Sequence, residues 1–175
     1  MLLLRTARLP EGPEWLYELK LDGYRALAIK AGDQVQLRSR NNKDFTLRYP
    51  AVTKALAALP NETVIDGELA VLDEAGRPSF NLLQNHNATG PTVYYFVFDL
   101  IVFAGEDMTG EPLDRRRELL LRRVLPELAE PIRHSPTLEA NLSDLVASVR
   151  AQGLEGLVAK RRDSLYEIGQ RTGAW

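Results

Sequence analysis

The octapeptide ELKLDGYR, residues 18–25, places three ionisable side chains at alternate positions. Glu18, Lys20 and Asp22 alternate with leucines, and Arg25 follows the Asp-Gly step. Alternate residues of a strand share one face, so a lysine would lie between two carboxylates with an arginine beyond them. The same letters are typical of a solvated β-hairpin whose facing strands carry charge pairs, and the octapeptide alone favours that interpretation. The rest of the sequence has to decide between the two.

A lysine that acts as a nucleophile needs more than a surface position. With a reference pKa of about 10.4, roughly one lysine side chain in 2,500 is neutral at pH 7. Desolvation or nearby positive charge lowers that pKa, whereas carboxylates alone raise it. A Mg²⁺ ion held by Glu68 and Glu155, with a triphosphate beside Lys20, would offset the acids and polarise the α-phosphate. The reaction that this arrangement predicts is nucleotidyl transfer onto the lysine.

Polar residues also interrupt later apolar segments. Glu68 lies within ETVIDGELAVLD, Asp99 divides TVYYFVFDLIVF, and Glu155 and Lys160 bracket the apolar letters GLVA. A buried charge is costly unless it is paired or bound to a metal. An ion pair or a helix cap explains any one of these residues. Their recurrence in several segments favours a shared polar cleft.

Composition limits the classes of protein to which the chain can belong. Its 175 residues fit one domain. The absence of cysteine excludes thiolate zinc sites, cysteine nucleophiles and disulfides, and it is compatible with a reducing compartment. The sequence contains no apolar run long enough for a membrane span or a secretory signal. We expect a soluble cytoplasmic protein that does not associate with membranes.

The charge balance gives no overall attraction to nucleic acid. Lys and Arg number 22 against 24 Asp and Glu, for a net charge of −2. A phosphate-binding surface therefore has to be a local basic patch. The dense basic stretches are 38–40, 115–117, 122–123 and 160–162. A solvated helix or loop face is the alternative interpretation of each.

Strand patterns dominate the first two thirds of the chain. The octapeptide predicts a hairpin that leads into YRALAIK, and residues 31–33 then join YRALAIK to QVQLRSR as an antiparallel meander. ETVIDGELAVLD and TVYYFVFDLIVF are typical of buried central strands because they are rich in β-branched and aromatic residues.

Helical patterns lie between and after the strands. We expect a short helix in YPAVTKALAAL and a helical turn flanked by loops in GRPSFNLLQNHNATGP. Asp114 is predicted to cap RRRELLLRRVL. Leu142, Leu145, Val146 and Val149 form a helical stripe that ends before Gly153. The predicted fold class is α+β, with antiparallel sheets flanked by helices in one unit.

Five short motifs occur in the order seen in one enzyme family. KLDGYR matches the KxDGxR motif of the covalent nucleotidyltransferases, and SRN, DGE, FVFDL and EGLVAKRRDSLY follow in the order of ATP-dependent DNA ligases. EGLVAKRRDS and GRPSFNLLQN most resemble the ligase domain of the multifunctional bacterial ligases that repair double-strand breaks with Ku. The resemblance covers nearly the whole chain. It implies the nucleotidyltransferase fold of DNA ligases and capping enzymes, with the nucleotide in a groove between the sheets.

The resemblance assigns the phosphate chemistry to four residues. Lys20 is similar to the family's nucleophile, which takes AMP from ATP as a phosphoramidate. Lys160 would contact the α-phosphate, and Glu155, with Glu68, would hold a catalytic Mg²⁺ or Mn²⁺ ion. The role of Asp22 stays open, although its position suggests that it shapes the site.

Recognition of the nucleoside is implied for a second group. Glu18 would read the adenine edge, and Arg25 and Glu68 would contact the ribose. Phe98 is similar to the aromatic residue that stacks on adenine, with Val158 on the opposite face. Phe98 and Val158 both lie in apolar runs, so burial in the core explains them equally well.

DNA contacts are implied at the SRN motif. Arg40 resembles the arginine that faces the nucleotide phosphate or the DNA 5′-phosphate, and Arg38 lies beside it. The implied substrate is nicked or broken double-stranded DNA, and the implied partner is Ku, with the chain a monomer. Two alternatives stay open, namely an RNA ligase or GTP-dependent capping enzyme, and a module that binds AMP or DNA ends without catalysis.

The family continues beyond a tryptophan such as Trp175 with lysines that contact the triphosphate, and then with an OB-fold domain. The present sequence ends at QRTGAW. We therefore expect residues 1–175 to be an adenylation domain truncated at the C-terminal lysine motif and lacking the OB-fold domain. Self-adenylation and nick sealing by these residues alone would then be impaired.

Overall fold

The computed structural model describes residues 1–87 and 89–175. The strands are β1 (Trp15–Leu19), β2 (Tyr24–Ala31), β3 (Gln34–Ser39), β4 (Thr63–Val71), β5 (Val93–Phe103), β6 (Glu106–Asp107), β7 (Ile132–His134) and β8 (Leu157–Arg161). The helices are α1 (Pro50–Ala55), α2 (Phe80–Gln84), α3 (Leu113–Leu119) and α4 (Leu142–Ala151). Single helical turns extend α1 and α3 at their C-terminal ends. Residue 88, in the loop predicted after α2, lies outside the described residues.

The strands form two separate sheets. β1 and β8 pair antiparallel as a two-stranded sheet. The larger sheet has the order β3-β2-β4-β5-β6, all antiparallel, and β7 adds to β5 in parallel. The predicted α+β class with antiparallel sheets and flanking helices is confirmed, as is the β2–β3 meander.

The predicted hairpin at ELKLDGYR is wrong. β1 pairs with β8, and β2 pairs with β3 and β4, so residues 20–23 cross from one sheet to the other. Gly23 is required at this crossing by a close approach, because a Cβ there would lie 2.0 Å from the carbonyl oxygen of Leu69. The crossing leaves Lys20 at the boundary between the two sheets.

The main core lies on one face of the larger sheet. Residues that point to this face from β2, β4 and β5 pack against α1 and α2, and Leu37, Leu56, Ile65, Leu69 and Val97 are among its fully buried members. A second cluster, which includes Leu16, Ile101, Leu113 and Trp175, joins the larger sheet to β1. The stripe predicted on α4 is confirmed, with Leu145 buried against Tyr17 and Ala159.

The predicted cap by Asp114 is wrong. α3 begins one residue earlier, after Pro112, and no side chain caps it. Asp114 lies in the first turn, where a negative charge is favourable at the positive end of the helix. Its carboxylate instead accepts a hydrogen bond from Arg162 at 3.3 Å. α3 is thereby tied to the end of β8.

Among the described residues, no helix combines the length and the apolar character that crossing a membrane requires.

Candidate active site

A cavity of about 500 Å³ lies where the two sheets meet. Eight of the predicted site residues line it: Glu18, Lys20, Arg25, Arg40, Glu68, Phe98, Val158 and Lys160. Glu18 and Val158 face each other across the β1–β8 pair, and Arg25 and Glu68 face each other across the β2–β4 pair. The β-sheet register therefore brings together residues from distant motifs.

A smaller cavity, of about 160 Å³, adjoins Lys20 on another side. It is lined by Asp22 and Glu155 as well as by Lys20, which belongs to both cavities. The Lys20 ammonium forms an ion pair with the Glu155 carboxylate, and both side chains are more than one third exposed. The sequence pattern suggested that Lys20 lies between Glu18 and Asp22, but the carboxylate that it contacts comes from the segment before β8.

The Glu18 carboxylate is buried at the floor of the larger cavity and is fully paired. Its Oε2 accepts hydrogen bonds from the Lys160 ammonium at 2.9 Å and from the Ser135 hydroxyl at 3.0 Å. Its Oε1 accepts a hydrogen bond from the Arg117 guanidinium. Burial lowers the pKa of Lys160, and the Glu18 carboxylate opposes that effect. Lys160 therefore lies inside the site as predicted, but its contact here is Glu18.

Arg117 is a residue of this site that sequence reasoning missed. The run RRR at 115–117 was interpreted as a basic surface patch, yet Arg116 is 0% exposed and Arg117 is 5% exposed. That interpretation is wrong for both residues. The available signal was the helical pattern, since an amphipathic α3 has to direct some of its residues toward the sheet.

Asp99 does not belong to the polar cleft, which corrects the prediction that grouped it there. Its carboxylate is 0% exposed and binds the Arg116 guanidinium through two hydrogen bonds of 2.8 Å. The ion-pair explanation is therefore the right one for Asp99. The pair fixes α3 to β5.

Arg25 is held by a buried carboxylate behind the cavity wall. Its guanidinium binds Asp66 through two hydrogen bonds, of 3.1 Å and 2.6 Å. The Tyr166 hydroxyl donates to the same carboxylate at 2.7 Å. Asp66 of the DGE motif thus orients Arg25, a role that the sequence did not reveal.

Glu68 has an unusual protonation state. Burial raises its pKa to about 8, Asp66 adds to that effect, and Arg25 opposes it. The carboxyl group is therefore mostly neutral at pH 7 in the free protein. A neutral carboxyl can both donate and accept a hydrogen bond, which suits a sugar hydroxyl. A cation bound at this carboxyl would displace its proton.

Phe98 contacts both the core and the cavity. Its ring packs partly buried against the second core cluster and lies edge-on to Trp175, with 5.9 Å between the ring centroids. The Lys160 ammonium lies 4.2 Å from the Phe98 centroid, and the Arg25 guanidinium lies 5.4 Å from it. Val158 is half-buried and lines the same cavity.

The predicted metal ligands line different cavities. Glu68 lines the larger one and Glu155 the smaller one, and the two cavities share Lys20. Within residues 1–87 and 89–175, no group of three or more carboxylate or histidine side chains is close enough to hold a metal ion. Mg²⁺ is commonly bound by one or two carboxylates together with substrate phosphates and water, and these two residues fit that donor set.

A basic wall, which we define as Arg40, Lys43 and Arg48, borders the larger cavity. The Arg48 guanidinium lies between 5.4 and 5.7 Å from the ring centroids of three aromatic residues, Tyr24, Phe45 and Tyr49. Arg38 does not line the cavity and lies 3.6 Å from Asp44. The two arginines assigned to DNA therefore have different surroundings.

A family model for the ATP dependent DNA ligase domain matches residues 5–175. The chain belongs to the ATP-dependent DNA ligase family. The predicted resemblance and its nucleotidyltransferase fold are thereby confirmed.

Relatives and solved structures agree with this assignment. The multifunctional non-homologous end joining protein LigD of Pseudomonas aeruginosa is 42% identical over 169 residues, which are 95% of this chain and 20% of the relative. The chain thus spans about a fifth of that curated relative. The crystal structure of the ligase domain from M. tuberculosis LigD superposes with a TM-score of 0.79 at 35% identity, covering 92% of this chain and 53% of that one. A mycobacterial DNA ligase D complexed with ATP and MES gives a TM-score of 0.78 at 36% identity, with 92% and 52% covered.

Proposed function

We propose that residues 1–175 are the adenylation domain of an ATP-dependent DNA ligase that works in strand-break repair. The observation that carries the proposal is the position of Lys20, the motif lysine, at the junction of the two cavities. A cavity of about 500 Å³ falls in the range of small-molecule and cofactor sites. A nucleotide in it would present its α-phosphate to the lysine.

The proposed reaction has two steps. The neutral Lys20 Nζ attacks the α-phosphorus of ATP, an N–P bond forms, the bond to pyrophosphate breaks, and the nitrogen loses a proton. The AMP group is then transferred to the oxygen of a DNA 5′-phosphate, and the N–P bond breaks. Glu155 is the nearest base for the Lys20 proton, because the two side chains are already paired.

Other residues bind and orient the nucleotide in this proposal. Lys160 contacts the α-phosphate, and Arg25 and Glu68 contact the ribose. Glu68 and Glu155 hold Mg²⁺ or Mn²⁺, which would neutralise phosphate charge as the pyrophosphate leaves.

The base is bound by a third group. Phe98 and Val158 enclose the purine, and Glu18 accepts a hydrogen bond from its amino group. All three residues line the larger cavity, which supports the assignment.

DNA is the proposed second substrate, as nicked or broken duplex. The basic wall beside the cavity would bind backbone phosphates, with Arg40 nearest to the 5′-phosphate, and Arg38 would contribute from the adjoining strand. We propose a monomer that cooperates with Ku in the cytoplasm of a bacterial cell, because its relatives are named end-joining proteins. Membership of the DNA ligase family favours this function over an RNA ligase or a capping enzyme.

A second candidate is a module that binds AMP or DNA ends without catalysis. Lys20 is paired with Glu155 and Lys160 with Glu18, so both lysines of the proposed chemistry are held by carboxylates in the free protein. A nucleotide that failed to displace those contacts would bind without reacting.

Intact-protein mass spectrometry after incubation with ATP and Mg²⁺ tests the proposal. We expect one AMP group on the wild type and none on Lys20→Ala. The matched control is Lys54→Ala, which removes an exposed lysine on α1 and should still take AMP. AMP on the Lys20 variant would show that the nucleophile is another residue. A wild type that stays unmodified in excess ATP would favour the binding module.

A further inference from the structure

Two adjacent arginines of α3 are both buried, but their partners lie in different places. Arg116 binds Asp99 and the backbone oxygens of Glu111 and Ser164, none of which lines the larger cavity. Arg117 binds Glu18, which does line it. The pair therefore separates two effects of a buried arginine, namely packing of α3 and control of the cavity floor.

Arg117 joins β1 to the larger sheet. One guanidinium nitrogen donates to Glu18 and to the backbone oxygen of Phe98, the latter at 3.3 Å. The other contacts the residues after β7, with 3.1 Å to the Thr137 hydroxyl and 3.3 Å to the Ser135 oxygen. A guanidinium has a rigid, planar set of donors, so these contacts fix its orientation and with it that of the Glu18 carboxylate.

The Glu18 carboxylate keeps one acceptor position free. An ionised carboxylate has about four acceptor positions, two on each oxygen. In the part of the chain that the structure describes, Oε2 accepts from Lys160 and Ser135, and Oε1 accepts from Arg117. A second position on Oε1 is therefore available to a donor on a ligand in the cavity.

We infer that Arg117 is a positioning residue for base selection, which holds Glu18 as a hydrogen-bond acceptor against the purine amino group. The inference rests on the proposed function of Glu18 and assigns it a partner that the ligase motifs do not contain. Adenine presents an amino donor at its six position, whereas guanine presents an oxygen acceptor there. A fixed, ionised carboxylate accepts from the first and repels the second. Loss of Arg117 frees the carboxylate to rotate, so the preference for adenine should fall.

Matched substitutions at the two arginines test the inference. Arg117→Met and Arg117→Lys are compared with Arg116→Met and Arg116→Lys, and Ser135→Ala removes one Glu18 contact without removing a charge. The measured quantities are the dissociation constants of ATP and GTP by calorimetry, and the melting temperature of each variant. A merely structural arginine would change the melting temperature and leave the ratio of the two constants unaltered.

We expect Arg117→Met to reduce the preference for ATP over GTP by about tenfold, the effect of one hydrogen bond to a charged group. Arg117→Lys should restore part of the preference, and Ser135→Ala should reduce it less than Arg117→Met does. Both Arg116 variants should lower the melting temperature and keep the wild-type ratio. If Arg117→Met does not fold, Arg117→Lys and Ser135→Ala decide the outcome.

An unchanged ratio in the folded Arg117 and Ser135 variants would overturn the inference. A wild type that binds ATP and GTP equally would also overturn it. Mass spectrometry of the same wild-type sample keeps the two proposals apart. Failure to take AMP on Lys20 would contradict the proposed function alone, because the binding ratio is measured without any covalent step.

Discussion

At the level of single residues, the site depends on side chains whose protonation differs from that in water. Burial and the Arg117 charge lower the pKa of His134 to about 4, and Lys160 adds to this effect while Glu18 opposes it. The imidazole is therefore neutral at pH 7, and its Nε2, 3.1 Å from the Arg117 guanidinium, acts as an acceptor. The neutral ring helps to orient the arginine that holds Glu18.

The His134 shift predicts a pH dependence of stability. The pKa in the folded state lies below the reference value of about 6.5, so the unfolded chain binds a proton more readily. The contribution of His134 is complete above pH 6.5 and is lost as the pH falls toward and through 4. Urea unfolding of His134→Asn, which cannot be protonated, should depend less on pH than the wild type between 6.5 and 4. Parallel profiles for the two proteins would contradict the shift.

Phe98 permits a second residue-scale prediction. Phe98→Ala should weaken ATP binding by roughly 1–3 kcal/mol, the range measured for bases stacked on aromatic side chains. Phe98→Leu is the matched control because it keeps an apolar side chain but no ring face. Calorimetric binding should weaken in both variants, whereas the melting temperature should fall mainly in Phe98→Ala. Loss of stability in Phe98→Ala with wild-type affinity in both would leave Phe98 with a core role only.

At the level of elements, α3 is fixed to the sheet by charge as well as by packing. Leu113 and Leu120 are fully buried, and the Arg116–Asp99 pair lies between the helix and β5 with both side chains 0% exposed. Burial raises the pKa of Asp99, and the Arg116 guanidinium opposes that shift. Removing one partner leaves the other charge buried alone.

Arg116→Met should therefore destabilise the fold by about 3–5 kcal/mol, as expected for breaking a buried ion pair. The double variant Asp99→Asn with Arg116→Met removes both charges and should be more stable than Arg116→Met alone. Urea unfolding with an unchanged dependence on denaturant measures both values. Additive losses in the double variant would show that the two residues do not act as a pair.

At the level of the whole molecule, the basic side chains are mixed with acids, and the net charge is −2. Arg116 and Arg117 are buried and cannot reach DNA phosphates. The basic wall is thus the main positive surface beside the cavity. DNA binding by this chain should depend on a few contacts and weaken quickly with salt.

The slope of log affinity against log salt should be shallow, at about −0.9 per phosphate contact. Arg40→Ala with Lys43→Ala should reduce the slope for nicked duplex by up to two contacts. The control is Arg122→Ala with Arg123→Ala, which removes two exposed arginines that do not line the cavity. Fluorescence anisotropy at several salt concentrations gives both slopes. Equal reductions in the two variants would show that binding is not localised at the cavity.

The sequence by itself determined the local features of this protein. Period-two alternation located β2 to β5, the α4 stripe located its buried face, and the ordered motifs identified Lys20 and seven other residues that line the cavity. These signals are local, because the residue types of a segment fix which of its faces is apolar.

Only the tertiary structure decided which segments meet. β1 pairs with β8 although an Asp-Gly step follows it, since alternation marks the faces of a strand but not its partner. The Glu18–Lys160 and Lys20–Glu155 contacts join residues 142 and 135 positions apart, and no local pattern encodes such pairs. Arg117 resembled a surface arginine for the same reason. A buried charge is stable only where its partner lies, and the partner of Arg117 comes from the other sheet.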